Sequence, residues 1–516
     1  MYNMCLWVIM TYITENLQGG VKVPTGGKAR ERESVDSVIL IRRFRSRQYS
    51  LDGRRTYTES RMLGVCSYID FSVPEILSQG LFVLLGKSKT FLVTQKPPAG
   101  CARVGSAGEI KKSVLRSTQS VEGGSFMDKE GYMRRALALA AFGEGYVSPN
   151  PMVGCVVVKD GRIISEGYHE HYGEFHAERN ALTRCSEDTK GADLYVTLEP
   201  CCHYGQTPPC TEIIIEKKIR RVFVGSMDVN PLVAGKGVQI LRDHGMEVET
   251  GILEKECLKL NEVFYHYMQT KLPFVVMKYA MTLDGKIACA TGDSKWVTGE
   301  CARAEVHQMR KRYKGIMVGI ETVLADDPML NCRVAKGVDP VRIVCDSKLR
   351  IPVNSRIVET ANEIPTIVAC CQNMEEIAEK REKMKELQAA GVQIITTGCE
   401  VQPDAEQGAE SSSGEGRAHA VQHVNLKELM QKLGEQKIDS ILLEGGGTLN
   451  ASALQAGIVS KVYAYLAGKL VGGRDARSPV EGSGIDRMCD AISLREMEIT
   501  RLGEDVCISG YPIYKR

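Results

Sequence analysis

The chain has 516 residues and a net charge of +2, with 43% apolar and 25% charged residues, which allows two or three globular domains with cores of their own. Its 18 cysteines are scattered, which excludes a compact disulfide scaffold and points to free thiols, with a possible metal site, in a reducing, cytoplasmic setting. The apolar start, residues 1–13, is shorter than the roughly 20 residues a spanning helix needs and lacks a basic flank, so neither membrane nor export is expected.

Residues 1–126 read as a leader or a disordered extension rather than a domain. Short apolar runs at 37–41 and 80–85 stand between Arg/Ser/Gly stretches without sustained period 2 or 3.6. This head carries 18 Lys+Arg against 10 Asp+Glu, a charge of +8, whereas 127–516 carries 48 against 54, a charge of −6. The arginine-rich stretch 42–61, with Phe44, Tyr49 and Tyr57 interleaved, is the one candidate for nucleic-acid contact. An acidic body argues against it, and no nucleic-acid partner is expected.

From Met127 the character changes. An Ala/Leu-rich helix is predicted over 133–142. Strands follow over 154–159, 162–169, 194–198, 221–225 and 247–250, with helices over 177–185, 211–218 and 238–244. Such alternation implies an α/β sheet with crossover helices. Apolar residues Cys257, Leu260, Phe264 and Tyr267 mark one helix over 254–268 that closes a first domain, 127–270.

A second α/β block, 271–516, includes strands over 274–279, 315–319, 341–345, 366–370, 392–396 and 440–443. A surface helix is predicted over 374–390, with Glu376/Lys380 and Glu379/Lys383 spaced for i,i+4 pairing. The stretch 398–423 is polar and of low complexity, and reads as a flexible insertion.

The strongest chemical signal is His176-Ala177-Glu178, then Glu199-Pro200-Cys201-Cys202, then Cys210. A hydrolytic zinc site needs three protein ligands, an open position for water and a carboxylate that moves the water's proton. His-x-Glu at a helix start supplies a ligand and that carboxylate. Pro-Cys after a strand is expected to open a second helix and supply a thiolate. The zinc-deaminase signature continues Pro-Cys-x-x-Cys, but here Tyr204 stands at that position and the next candidate is Cys210, with Cys202 and His203 as weaker ones.

The run TLEPCCHYGQTPPC, with NPMVGCVVV ahead of HAERNAL, resembles the deaminase half of the bifunctional deaminase/reductase family of riboflavin biosynthesis. The resemblance implies His176, Cys201 and Cys210 as zinc ligands, Glu178 as proton shuttle, and Asn150 and His203 in the pyrimidine pocket. One departure is Gln206, where the family often has a basic residue. The implied reaction is hydrolytic removal of an amine from a diaminopyrimidinone carrying a ribosylamino 5′-phosphate.

The run Ile441–Asn450 reads as a strand, a glycine turn and a helix start, suited to a phosphate although it is not Gly-x-Gly-x-x-Gly. KYAMTLDGKIACATGDSKWVTG and VGIETVLADDPMLNCR resemble the reductase half of the same family, whose fold is similar to dihydrofolate reductase. The expected architecture is therefore a cytidine-deaminase-like α/β/α zinc domain followed by a dihydrofolate-reductase-like α/β domain. The resemblance puts Ala280, Trp296, Thr322, Asp326, Gly446, Gly447, Thr448, Leu449, Asn450, Ala451 and Ser452 around NADPH. It puts Ser294, Arg310, Leu330, Arg333 and Glu444 around the substrate. No residue decisive for the 2′-phosphate of NADPH stands out. The partner is then a small-molecule ribosyl phosphate, and a homo-oligomer is expected.

Overall fold

The computed structural model describes residues 127–230, 233–402 and 421–515, together with four strands nearer the start. These are β1 (Val38–Tyr49) paired antiparallel with β2 (Arg55–Cys66), and β3 (Leu81–Val83) paired with β4 (Val93–Gln95). They fall in a compact unit of residues 1–97, distinct from a second unit of 98–516. Two strands of 12 residues thus stand where no sustained periodicity was read. The rest of 1–126, and the leader expected there, lies outside the described residues, as does most of the insertion expected at 398–423.

The larger unit begins with helix α1 (Lys129–Ala140), whose N-cap Asp128 accepts the Gly131 N–H at 2.8 Å. Strands β5 (Gly154–Lys159) and β6 (Arg162–Tyr168), α2 (Ala177–Arg184), β7 (Asp193–Leu198), α3 (Cys210–Glu216), β8 (Arg221–Ser226), α4 (Lys236–Asp243) and β9 (Glu247–Thr250) follow. The sheet order is β6-β5-β7-β8-β9, antiparallel up to β7 and parallel beyond it. Both faces are apolar, so period 2 sorts the strand side chains between two cores. Val156, Val158, Tyr195 and Phe223 pack with Met133, Leu137 and Ala140 of α1. Their neighbours Val157, Leu194, Val196, Val222 and Val224 pack with Ala181, Ile214 and Leu241 of the helices opposite. This is the expected α/β/α layering.

The closing helix is two helices, α5 (Glu254–Leu260) and α6 (Glu262–Thr270). Asn261 between them is buried and leaves helical geometry at φ −106°, ψ 24°. Its amide accepts the Met152 N–H at 2.8 Å and donates to the Met152 carbonyl at 2.9 Å. A continuous apolar stripe therefore hides a break that a polar residue makes for a tertiary contact.

The second sheet is built from β10 (Phe274–Thr282), α7 (Glu300–Arg312), β11 (Gly315–Gly319), α8 (Ile320–Asp326), β12 (Val341–Cys345), α9 (Arg356–Glu359), β13 (Thr366–Cys371), α10 (Ala378–Ala389) and β14 (Val392–Thr397). The pair β15 (Cys399–Gln402) and β16 (Val421–Val424) stands apart. Then come α11 (Leu426–Glu435), β17 (Ser440–Leu443), α12 (Gly447–Gln455), β18 (Val459–Ala467), β19 (Ser493–Leu502) and β20 (Asp505–Ile513). Nine strands pair in the order β14-β13-β12-β11-β17-β10-β18-β20-β19, parallel as far as β18, with an antiparallel hairpin at the end. Helices cover both faces: Ile343, Ile367 and Ile441 meet Leu429 and Leu433 of α11, while Val344 and Val368 meet Met384 and Leu387 of α10.

The helix predicted over 374–390 starts later, after a 3-10 turn at Gln372–Glu376. Glu376 is thereby out of helical phase, and Lys380 donates instead to the Leu349 carbonyl at 3.2 Å. The two blocks meet through a buried cluster in which Glu262 of α6 accepts Lys461 at 3.0 Å and Tyr511 at 2.6 Å. Ser148 also donates to Asp439 at 2.8 Å. Among the described residues no helix is long and apolar enough to cross a membrane.

Candidate metal centre and reductase clefts

Both sites lie where ligands collect in α/β sheets, at the carboxyl ends of parallel strands. In the first domain β7 ends in Glu199-Pro200-Cys201. Glu199 is buried, and its carboxylate accepts the backbone N–H groups of Asp228 (3.3 Å), Gly235 (2.9 Å) and Val238 (3.1 Å). It ties the end of β7 to the loop after β8 and to the start of α4. Gly237 is required there: a Cβ would come within 2.0 Å of the Pro200 carbonyl.

His176 is the N-cap residue of α2, and Glu178 follows in its first turn, so the helix start sets the two side chains side by side. The ligand atoms of His176, Cys201 and Cys210 lie within 4.8 Å of one another. Cys201 Sγ is 3.4 Å, and Cys210 Sγ 3.6 Å, from His176 Nδ1. One expectation is corrected. Cys201 does not open a helix; Pro208 and Pro209 delay the helix start, and Cys210 begins α3. The helix-terminal ligand is therefore the second thiol, and its N–H points at Cys201 Sγ from 3.3 Å.

The electrostatics suit a cation. The hydrogen bond with Cys210 and then that with His176 bring the Cys201 thiol down to about 4, overcoming burial. Burial opposes protonation of His176, but the Cys201 thiolate outweighs it and raises the imidazole above its usual range. Two soft thiols and one imidazole form a donor set that fits zinc and leaves a fourth position open. Burial first, and the Cys201 charge second, push Glu178 up to about 7.

A cavity of about 330 Å³ adjoins this cluster, lined by Glu178, Asn150, His203, His169, Gln206 and Asp228 among others. His169 Nδ1 lies 3.0 Å from the Phe175 carbonyl and its Nε2 3.2 Å from Asn150 Nδ2. Burial first holds His169 down at about 4, so the neutral ring donates from Nδ1 and accepts from Asn150. That leaves the Asn150 carbonyl oxygen to accept from a ligand. His203 Nδ1 is buried without a partner. Among the described lining residues there is no lysine or arginine, and Gln206 and Thr207 offer only uncharged contacts. Sequence reading missed Asp228 and the bracing role of Glu199. Asp228 follows β8, and only the fold brings it to the pocket.

The second domain carries two adjoining cavities. The larger, about 790 Å³, is lined by Ser294, Thr322, Asp326, Gly446, Gly447, Thr448, Leu449 and Ser452 of the predicted set. The smaller, about 470 Å³, is lined by Ala280, Ser294, Trp296, Arg310, Arg333 and Glu444. Ser294 borders both. Ala280 and Trp296, expected with the nucleotide, thus stand among the residues expected around the substrate. Leu330, Asn450 and Ala451 are buried and line neither. Asn450 instead donates to the Pro479 carbonyl at 2.8 Å and braces the glycine turn.

Glu444 is the electrostatic centre of the smaller cavity. Arg310 grips it in a bidentate pair at 2.9 and 3.0 Å, and Lys278 Nζ lies 3.9 Å away. Burial alone would raise this carboxyl, but Arg310 and then Lys278 hold it down at about 2. Lys278 was missed because it interrupts the apolar strand run FVVMKYAMT, where a lysine reads as an edge residue. Ser347, Lys348 and Arg350, after the carboxyl end of β12, line the larger cleft. Their signal was a cationic turn following a buried strand.

The comparisons with known proteins agree with this division. Residues 127–226 match the cytidine and deoxycytidylate deaminase zinc-binding region, and residues 273–508 match the RibD C-terminal domain. The riboflavin biosynthesis protein RibD of Actinobacillus pleuropneumoniae is 50% identical over 73% of this chain and 93% of its own length. That of Escherichia coli is 37% identical over 74% of this chain and 99% of its own. The solved Thermotoga maritima diaminohydroxyphosphoribosylaminopyrimidine deaminase/5-amino-6-(5-phosphoribosylamino)uracil reductase superposes with a TM-score of 0.61 at 36% identity. It covers 74% of this chain and 98% of that one. Acinetobacter baumannii RibD gives a TM-score of 0.62 at 36% identity over the same shares.

Proposed function

This chain belongs to the RibD family of bifunctional riboflavin-biosynthesis enzymes, and on that premise we propose which of its residues carry each of the two reactions. It is a zinc-dependent deaminase joined to an NADPH-dependent reductase. We take 127–270 as the deaminase domain and 271–516 as the reductase domain. The substrate we propose is 2,5-diamino-6-ribosylamino-4(3H)-pyrimidinone 5′-phosphate, deaminated first and then reduced at its ribosyl group to a ribityl chain.

When bound, zinc supplies an activated water and NADPH supplies the hydride. His176, Cys201 and Cys210 hold the metal. Glu178 takes the proton of the attacking water and returns it to the leaving amine; a carboxyl at about 7 is suited to both transfers at neutral pH. Asn150, held by His169, and His203 orient the pyrimidine. Asp228 lines the same pocket. In the reductase, Arg310 and Arg333 offer charge to the substrate phosphate, while Glu444 and Lys278 face the ribose. Thr322, Asp326, Gly446, Gly447, Thr448, Leu449 and Ser452 hold the cofactor, with Asn450 and Ala451 supporting the glycine turn from behind and Ala280 and Trp296 toward the shared wall. Leu330 shapes the loop behind the cavity. Lys348, which lines the larger cleft just after the carboxyl end of β12, is the group we assign to the 2′-phosphate.

Two coarser features follow the same reading. The edge strand β19 exposes Met497 and Ile499, a surface that a second copy would cover, which supports a homo-oligomer. A small-molecule pathway enzyme of this kind is expected in the cytoplasm, without nucleic-acid or membrane partners.

The observation that carries the reading is the convergence of His176, Cys201 and Cys210 within 4.8 Å beside Glu178 and its cavity. It is tested on the zinc-loaded full chain by following ammonia release and NADPH oxidation together. Glu178→Gln is expected to slow ammonia release by about 10³-fold, with zinc content unchanged and reduction of separately supplied deaminated substrate intact. Ammonia release that survives in the variant sinks the assignment.

A further inference from the structure

Helix α12 begins at the glycine turn after β17, and its N-cap residue Gly446 contributes no side-chain cap. The first-turn N–H groups of a helix have no intrahelical partners and attract an anion. A carboxylate reaches this helix start from the loop that follows β18. Glu481 donates its own N–H to the Gly447 carbonyl at 3.1 Å. Its Oε1 accepts the Ser478 N–H at 3.3 Å, and its Oε2 lies 3.5 Å from the Thr448 hydroxyl. The side chain lies so close over Gly447 that a Cβ there would meet Glu481 Cγ and Cδ at 2.5 Å. The loop is pinned beside the helix by the bond from Asn450 to the Pro479 carbonyl.

Glu481 also lines the larger reductase cavity, together with Gly446, Gly447, Thr448 and Leu449. A dinucleotide in that cleft brings a diphosphate to the same helix start, since free N–H groups and the helix dipole favour it there. Two anions then meet at one helix start, and their charges repel. The cleft's basic lining residues are Lys348, Arg350 and Arg477, and the last belongs to the same loop as Glu481.

We propose that Glu481 is a resident anion of the cofactor cleft, a carboxylate that stands in the diphosphate's place at the start of α12 and weakens dinucleotide binding. The inference rests on the larger cavity being the cofactor cleft. The carboxylate lies against the helix start and repels NADPH and NADP⁺ alike, because the diphosphate is common to both. It therefore sets how readily spent cofactor leaves, without touching the hydride transfer.

The test is equilibrium binding of NADPH, NADP⁺ and inorganic pyrophosphate to the full chain, with three variants. Glu481→Gln keeps the shape and the acceptor for Ser478 while removing the charge. It is expected to tighten all three ligands roughly fivefold at low ionic strength, with the gain shrinking as salt rises. Glu481→Ala is expected to tighten them too, by less, because the loop loses its tether. Thr322→Trp, which fills the cleft, is expected to abolish dinucleotide binding. Unchanged or weaker binding in Glu481→Gln, with Thr322→Trp still blocking, overturns the role of Glu481 alone. Full binding in Thr322→Trp overturns the location of the cofactor cleft itself.

Discussion

The two catalytic pockets treat a buried carboxylate in opposite ways. In the deaminase pocket Glu178 and Asp228 are removed from water without a salt-bridging cation among the described residues. Burial pushes them up to about 7 and about 6. In the reductase pocket Glu444 is also largely removed from water, but Arg310 and Lys278 hold it down at about 2. The difference follows the chemistry. A site that moves protons needs a carboxyl that changes state near neutrality. A site whose cofactor brings the hydride needs fixed charges that position a phosphorylated sugar. Burial thus leaves one carboxyl inclined to hold a proton and the other a permanent anion, and the neighbouring side-chain cations decide which.

The harshest way to break the contrast is to take the charge from Glu444. Glu444→Gln leaves Arg310 and Lys278 buried without their counterion, at an expected cost of roughly 3 kcal/mol in stability. Reductase turnover should be lost with it, while zinc content and ammonia release persist. The pH dependence carries a sign. The folded carboxyl sits near 2, below its ordinary 4.5, so its stabilisation is complete above 4.5 and fades as pH falls toward 2. The gap in urea midpoint between wild type and variant should be constant from pH 6 to 8 and narrow below 4.5. A gap that widens in acid would mean that Glu444 is not the anion of this cluster.

A milder change sharpens the fixed-charge half of the comparison. If Lys348 answers the 2′-phosphate, Lys348→Ala should weaken NADPH by about tenfold, or 1.4 kcal/mol, and leave NADH unaffected. Equal losses for both cofactors would move the 2′-phosphate elsewhere, with Arg477 the next residue to vary.

How much of this could be read from the chain depends on what a residue answers to. Most strands of both sheets were legible because their residues pack on two apolar faces; His176, Glu178 and Cys201 were legible as a chemical constellation, whereas Cys210 was singled out among the candidate ligands by the family resemblance. The terminal strands β18, β19 and β20 were not. The edge strand β19 turns Arg495, Glu498 and Arg501 outward and has only two buried residues, Thr500 and Leu502, so it lacks a strand's apolar signature. The break at Asn261 and the cation pair on Glu444 are tertiary facts. Each depends on a partner many residues away: Met152 for the first, Arg310 and Lys278 for the second.

The smallest expected effect tests the proton-moving half. Asp228 sits between the ends of β8 and β7, and its Oδ1 accepts the Asn230 N–H at 2.8 Å, a contact that an asparagine oxygen can keep. Burial is the first cause that raises it from 3.8 to about 6, and the Glu199 charge adds to it. The folded state therefore holds this proton more tightly than the unfolded chain does. Stability is lost as pH rises from 3.8 through 6, and above 6 the full penalty of a half-buried carboxylate without a salt-bridging cation among the described residues remains. Asp228→Asn removes that penalty, so at pH 8 the variant should melt roughly 2–4 °C above wild type, and near pH 4 the two should melt together. Its deaminase rate should fall even as its stability rises if the group that costs stability acts on the substrate in the cavity it lines. If the variant were no more stable at pH 8, Asp228 would have to share a cation in solution. The contrast between the two pockets would then narrow to Glu178 alone.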